Sequence, residues 1–146
     1  MSQVNELDLT KPVRGLLFFI AITGLVAVFI FQQKLTFFWI SDSDQYANLI
    51  FSLNRLLRLL TNDLFMLVLL AAWFNDRSVL KLAFFIQLID LFILLPVYLV
   101  IKLTLEGDEE ISSPLLSQFH RLIVNPTLMI LVIPAIYFQR QLKKNA

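Results

Sequence analysis

The sequence predicts an all-α, polytopic membrane protein with four transmembrane helices and a short interfacial helix before the fourth. Three observations carry this prediction. Hydrophobic residues make up 58% of the 146 residues and mean hydropathy is +0.77; lipid can cover that much apolar surface, whereas a soluble domain of this size cannot bury it. The apolar residues gather in four runs, at about 13–31, 54–74, 79–101 and 126–141, lengths at or near the ~17–25 residues a span needs. Short polar segments separate the runs. Residues 1–146 therefore form a single integral membrane domain, with no room for a sizeable soluble one beside it.

Helix one is predicted from Val13 to Phe31, with Lys11 and Arg14 at its start and Gln32-Gln33-Lys34 at its end. Its core is close to the lower limit for crossing ~30 Å of hydrocarbon. Met1–Thr10 is polar and slightly acidic, and bulky residues follow the apolar core. The segment therefore reads as a retained anchor, because a cleaved signal peptide wants a basic start and small residues at the cleavage site. Leu35–Ile40 is aromatic-rich and too short to span; it suits the membrane–water interface. Ser41-Asp42-Ser43-Asp44 is a polar loop.

From Gln45 the chain is helical again. Leu49, Ile50, Leu53, Leu56, Leu57 and Leu60 recur at helical spacing, an amphipathic approach to helix two. Asn75-Asp76-Arg77-Ser78 is a tight turn. Helix three follows, and Pro96 inside it cannot donate to the Phe92 carbonyl, so a kink or local opening is expected there. Glu106–Glu110 reads as a solvated acidic loop. Ser113-Pro114 resembles a helix start with a capping Ser. Leu115, Leu116, Phe119, Leu122 and Ile123 form an apolar stripe leading to a break at Asn125-Pro126. The last span runs from Pro126 to about Gln141, with Pro134 as a second expected kink.

Positive charge sets the expected orientation. Lys11, Arg14, Arg77, Lys81, Arg140, Lys143 and Lys144 fall on the side of both termini. Lys34, Lys102 and Arg121, with Arg55 and Arg58, fall on the other. The positive-inside rule then places both termini in the cytoplasm.

Against this apolar background stand polar groups at membrane depth: Asn54, Arg55, Arg58, Asn62 and Asp63 on helix two, Gln87 and Asp90 on helix three, and His120, Arg121 and Asn125 before the fourth. Such groups are costly in lipid and face protein or water. The short turn makes helices two and three antiparallel neighbours, with Asp90 level with about Asp63. Arg58 lies about 7.5 Å further out at 1.5 Å per residue. Arg55, Arg58 and Asn62 share a face. The simplest arrangement is one buried network, Arg58 with Arg55 reaching Asp90 and Asp63, and Asn62 and Gln87 completing the hydrogen bonds. Two readings stay open: a network that only fixes helix packing, or a partner site open to the outer face.

Chemistry of other kinds is poorly supported. A net charge of +1 gives no argument for nucleic-acid binding, and the absence of cysteine excludes disulfides, thiolate metal sites and a cysteine nucleophile. A single histidine, His120, is a weak metal-ligand candidate. As a general base toward Ser117 it lacks an orienting group; contact with headgroups or with the helix-two arginines suits it better. An unperturbed histidine titrates near ~6.5, which also admits pH sensing. Asp42-Ser43-Asp44 and the Glu106–Glu110 run read as solvated loops rather than cation sites. No cofactor is expected.

Four stretches in order are similar to one family: Asn54-Arg55-Leu56-Leu57-Arg58 with Asn62-Asp63; Leu82–Leu88 leading to Leu95-Pro96; Phe119–Pro126; and Ile133–Gln139. Together they resemble the small membrane proteins associated with exosortase F in flavobacteria and their relatives, members of the Bacteroidetes. The resemblance covers roughly residues 50–140. It implies association with a membrane-embedded exosortase that sorts proteins to the cell surface, and no established activity for the small protein itself. Exosortases use Cys, Arg and His at the outer face of the membrane they sit in; this chain has Arg and His but no Cys. The expected function is thus a non-enzymatic accessory subunit, with lipids and an exosortase or other membrane protein as partners. The alternative is a small proton-linked transporter, or a channel-like oligomer, using Asp63 and Asp90.

Overall fold

The structure, a computed structural model, describes residue 7 and residues 9–31, 46–106 and 112–145. The elements are α1 (Lys11–Phe31), α2 (Ala47–Phe74), α3 (Arg77–Ile89), a π-helical turn (Asp90–Leu94), α4 (Leu95–Leu105), α5 (Pro114–Val124) and α6 (Thr127–Asn145). Three helical units are long and apolar enough to cross a membrane: α1, α2, and α3 through α4 taken as one. A fourth is the pair α5 and α6, bent by 62° at the break. The expected all-α polytopic architecture is what the chain forms.

Several boundaries differ from those read in the sequence, each for a local reason. α2 begins at Ala47, because the amphipathic approach is continuous with the span. At 28 residues it is about 42 Å long, which exceeds ~30 Å of hydrocarbon. Its first two turns therefore reach beyond the apolar layer. The α2–α3 turn is only Asn75-Asp76, with Asn75 in the left-handed region at φ 49°. Asparagine tolerates that conformation, which allows the abrupt reversal.

The opening expected at Pro96 is the π-helical turn just before it. The Leu95 N–H donates to the Asp90 carbonyl, five residues back. Proline has no N–H, so the chain satisfies its carbonyls by widening one turn rather than breaking. α6 continues through Pro134, and the bend of the fourth unit falls at Asn125-Pro126 instead.

The core stacks in three layers along the bundle. Val79, Val132 and Ile136 lie beside the α2–α3 turn. Met66, Leu70, Ala83 and Met129 form the middle. Leu59, Leu95, Tyr98, Leu116 and Ile123 lie at the far end. α1 packs on α2 through Gly24, where a Cβ would collide with the Phe65 ring. That position therefore needs the smallest residue. The many exposed Phe, Leu, Ile and Val side chains outside these layers are the surface a lipid bilayer would cover.

Candidate functional site

The ten polar residues singled out in the sequence divide into two groups at different depths. From the α2–α3 turn, Asp63 is about 17 Å along α2, near the middle of a ~30 Å hydrocarbon layer. Arg58 is about 24 Å along and Arg55 about 28 Å, at the opposite boundary.

The boundary group centres on His120. Arg55 and His120 meet at 3.2 Å (Nη1 to Nε2), and the Tyr98 hydroxyl is 3.0 Å from His120 Nδ1. The Tyr98 and His120 rings also stack, tilted, with centroids 5.5 Å apart. The protonation pattern follows from donor chemistry. A guanidinium only donates, so Nε2 accepts from Arg55; Nδ1 then carries the proton and donates to the Tyr98 oxygen. His120 is thus neutral here, and the tyrosine keeps its own O–H for a further acceptor. Arg55 also lies over the Phe51 ring at 4.9 Å, a contact that shields a desolvated guanidinium. Arg58 stands within electrostatic range of Arg55 and Tyr98. Arg121, one residue past His120, is exposed.

α5 is held in place by a residue the sequence reading left in a solvated loop. Glu106 Oε1 accepts from the Ser112 N–H (3.1 Å), the Ser112 hydroxyl (2.8 Å) and the Ser113 N–H (2.9 Å). Its other oxygen pairs with the fully buried Lys102 at 3.2 Å. These bonds, the Ser112 hydroxyl foremost, hold the Glu106 carboxyl down at about 2. Ser113 occupies the N-cap position but makes no side-chain cap bond; the Glu106 carboxylate instead takes the Ser112 and Ser113 N–H groups that lead into the helix. The Glu106–Glu110 reading is therefore corrected at Glu106. The remaining acidic residues of that run, like Asp42 and Asp44, lie outside the described residues.

The second group is deeper. Asp63 and Asp90 are 1% and 2% exposed and Asn62 is 5% exposed. Gln87 is half-buried one turn before Asp90. The field acting on Asp63 comes from Asp90, whereas that acting on Arg58 comes from Arg55 and Tyr98. Asp63 and Asp90 thus lie within electrostatic range of one another at mid-depth, and Arg55, His120 and Tyr98 form a bonded chain at the boundary. Asn54 is half-buried on the first turns of α2, and Asn125 is half-buried at the α5–α6 break. An Asp at the centre of a membrane helix costs about 2.5–3.5 kcal/mol by insertion scales, so two facing one another need compensation.

Sequence reasoning missed Tyr98, Lys102 and Glu106 as members of the site. Two signals were legible. Tyr98 is a hydroxyl inside an otherwise apolar helix, and a buried tyrosine O–H seeks a partner. Lys102 and Glu106 are spaced i, i+4. No protein-family model matches the chain, and neither a curated protein nor a solved structure matches it.

Proposed function

We propose that this chain is a non-enzymatic membrane subunit of an exosortase-type protein-sorting system. In this reading it sits in a bacterial inner membrane with both termini cytoplasmic and engages its membrane partner through the boundary group. One observation carries the reading: Arg55, Tyr98 and His120, from three separate helices, are bonded together at one end of the bundle, with Arg121 exposed beside them. Packing alone does not need an arginine on α2 and a histidine on α5 at the membrane boundary, where water could satisfy each. The resemblance to exosortase-associated proteins names the system, and the charge asymmetry supplies the orientation.

Arg121→Gln is the informative change, because its exposed side chain can be lost without unstitching α5. In cells making the variant at normal abundance, processing of sorted substrates should fall. Undiminished processing in an Arg121→Gln, His120→Gln double variant at normal abundance would refute the docking role. A cysteine at Gln118 should react with an impermeant thiol reagent added from outside, and one at Ser78 should not; the reverse pattern would overturn the orientation.

A further inference from the structure

The mid-depth group has a chemistry that the partner reading does not use. Asp63 Oδ2, Asp90 Oδ1 and Gln87 Oε1 are each sealed from solvent and accept no hydrogen bond from the described residues. All three are acceptors. An ionised carboxylate has nothing to donate, and an amide oxygen never does. Buried acceptors without donors are rare, and each calls for an explanation. Gln87 and Asp90, three residues apart, share one helix face, and Asp63 lies opposite, within electrostatic range of Asp90. The π-helical turn begins at Asp90; such turns displace side chains from regular helical positions and recur at binding sites.

We propose that Asp63, Asp90 and Gln87 form a buried site for one monovalent cation, a proton or an alkali ion, at the middle of the bundle. A proton on either carboxyl converts an acceptor into a donor and lets the two acids share a hydrogen bond. An alkali ion would bridge the same oxygens. Both remove the repulsion of two like charges confined together. Among the described residues no third acidic, His or Cys side chain completes a metal-binding group, so the donor set suits a single positive charge. Leu59 and Leu95 lie on one side of the pair along the bundle and Met66 and Ala83 on the other, which makes its environment apolar. The other ionisable groups on the surrounding elements stand at the two ends of the bundle: Arg55 and Arg58 on α2, Tyr98 and Lys102 on α4, and His120 and Arg121 on α5 toward the boundary, and Arg77 and Lys81 on α3 with Tyr137 and Arg140 on α6 toward the α2–α3 turn.

Thermal unfolding of the full chain in lipid nanodiscs tests the site, comparing wild type with Asp63→Asn and Asp90→Asn. A proton held in the folded state and released on unfolding makes stability fall as pH rises. In choline chloride, between about pH 5 and about pH 8, the wild-type Tm should therefore fall by several degrees relative to both variants. His120 is present in all three proteins, so its own titration cancels in the difference. If the occupant is an alkali ion, replacing choline by sodium or potassium at the upper pH should raise the wild-type Tm and leave the variants unchanged. A second measurement requires no variant to fold. Infrared difference spectra of wild type should show a protonated-carboxyl C=O band that is lost on raising the pH or on adding the alkali ion. Wild-type melting parallel to the variants in both series, with no such band change, would overturn the proposal.

Discussion

The two ends of the bundle handle charge in opposite ways. At the α2–α3 turn Arg14, Asp76 and Arg140 each meet an opposite charge or a helix terminus. Arg14 donates to the Ala72 and Trp73 carbonyls at 3.0 and 2.9 Å, satisfying the exposed end of α2. Asp76 accepts from the Ser78 N–H at 2.8 Å and pairs with Arg140 at 2.9 Å. The backbone of Leu7 reaches the Asn75 carbonyl, and Trp73 donates to the Tyr137 hydroxyl. These contacts tie α1, α2, α3 and α6 together through capping, which is a structural use of polar groups. At the other end Lys102 pairs with Glu106, but Arg55 and Arg58 repel one another and converge with a neutral histidine and an exposed arginine. An arrangement that gathers like charges gives up stability, and one that caps helices adds to it. The contrast separates an end whose polar groups cap helices from the end that carries the proposed docking group.

The largest expected effect tests whether the ends are independent. Gly24→Leu drives side-chain atoms into the Phe65 ring and should destabilise by more than the ~1–3 kcal/mol typical of overpacking. It pushes α1 off α2, and with it the Arg14 cap at the turn end. Phe65→Ala should restore part of the loss. The chain has one histidine, so its imidazole nitrogen-15 signals report the boundary end alone, and they should not move. A shifted tautomer signal would mean that the two ends are coupled.

His120→Ala comes next. It strands the Arg55 guanidinium and removes the partner of the Tyr98 hydroxyl, so it should cost about 1–3 kcal/mol in a chemical or thermal melt. Tyr98→Phe removes only a neutral bond and should cost about 0.5–1.5 kcal/mol. In wild type the nitrogen-15 spectrum should show the Nδ1–H tautomer; the Nε2–H form would contradict the Arg55 bond.

Acid should loosen the boundary end in two stages. The Arg55 bond needs His120 unprotonated, whereas the unfolded chain binds a proton below about 6.5, so stability falls as pH drops through the histidine range. Glu106 acts later. Its carboxyl is held down at about 2 by the Ser112 and Ser113 bonds, so its contribution is complete above the ordinary value of 4.5. That contribution is lost as pH falls toward 2. Glu106→Gln should abolish the second stage and leave the first, as followed by Tm against pH. An unchanged second stage would detach Glu106 from the placement of α5.

The smallest effect belongs to the turn end. Arg140→Ala breaks an ion pair whose arginine side chain is 50% exposed, and it should cost no more than about 1 kcal/mol and less in high salt. Combined with His120→Ala, the losses should add, because the sites are far apart. Strong non-additivity would mean that the ends share a network.

The sequence by itself determined the membrane class, the helical units, the amphipathic α5 and the break at Asn125-Pro126, because apolar run length, proline and helical periodicity are local properties. It also located the depth of Asp63, Asp90 and Arg58, since a short turn and 1.5 Å per residue fix depth along a hairpin. Depth did not decide partnership. Which face each side chain presents depends on how α4 and α5 return to α2, and that depends on contacts far apart in the chain. Only the tertiary structure brought Tyr98 and His120 to Arg55, turned Glu106 from a loop residue into the clasp of α5, and brought the two mid-depth carboxylates within electrostatic range. A helix fixes the height of its side chains through its own hydrogen bonds, whereas their neighbours are fixed by packing.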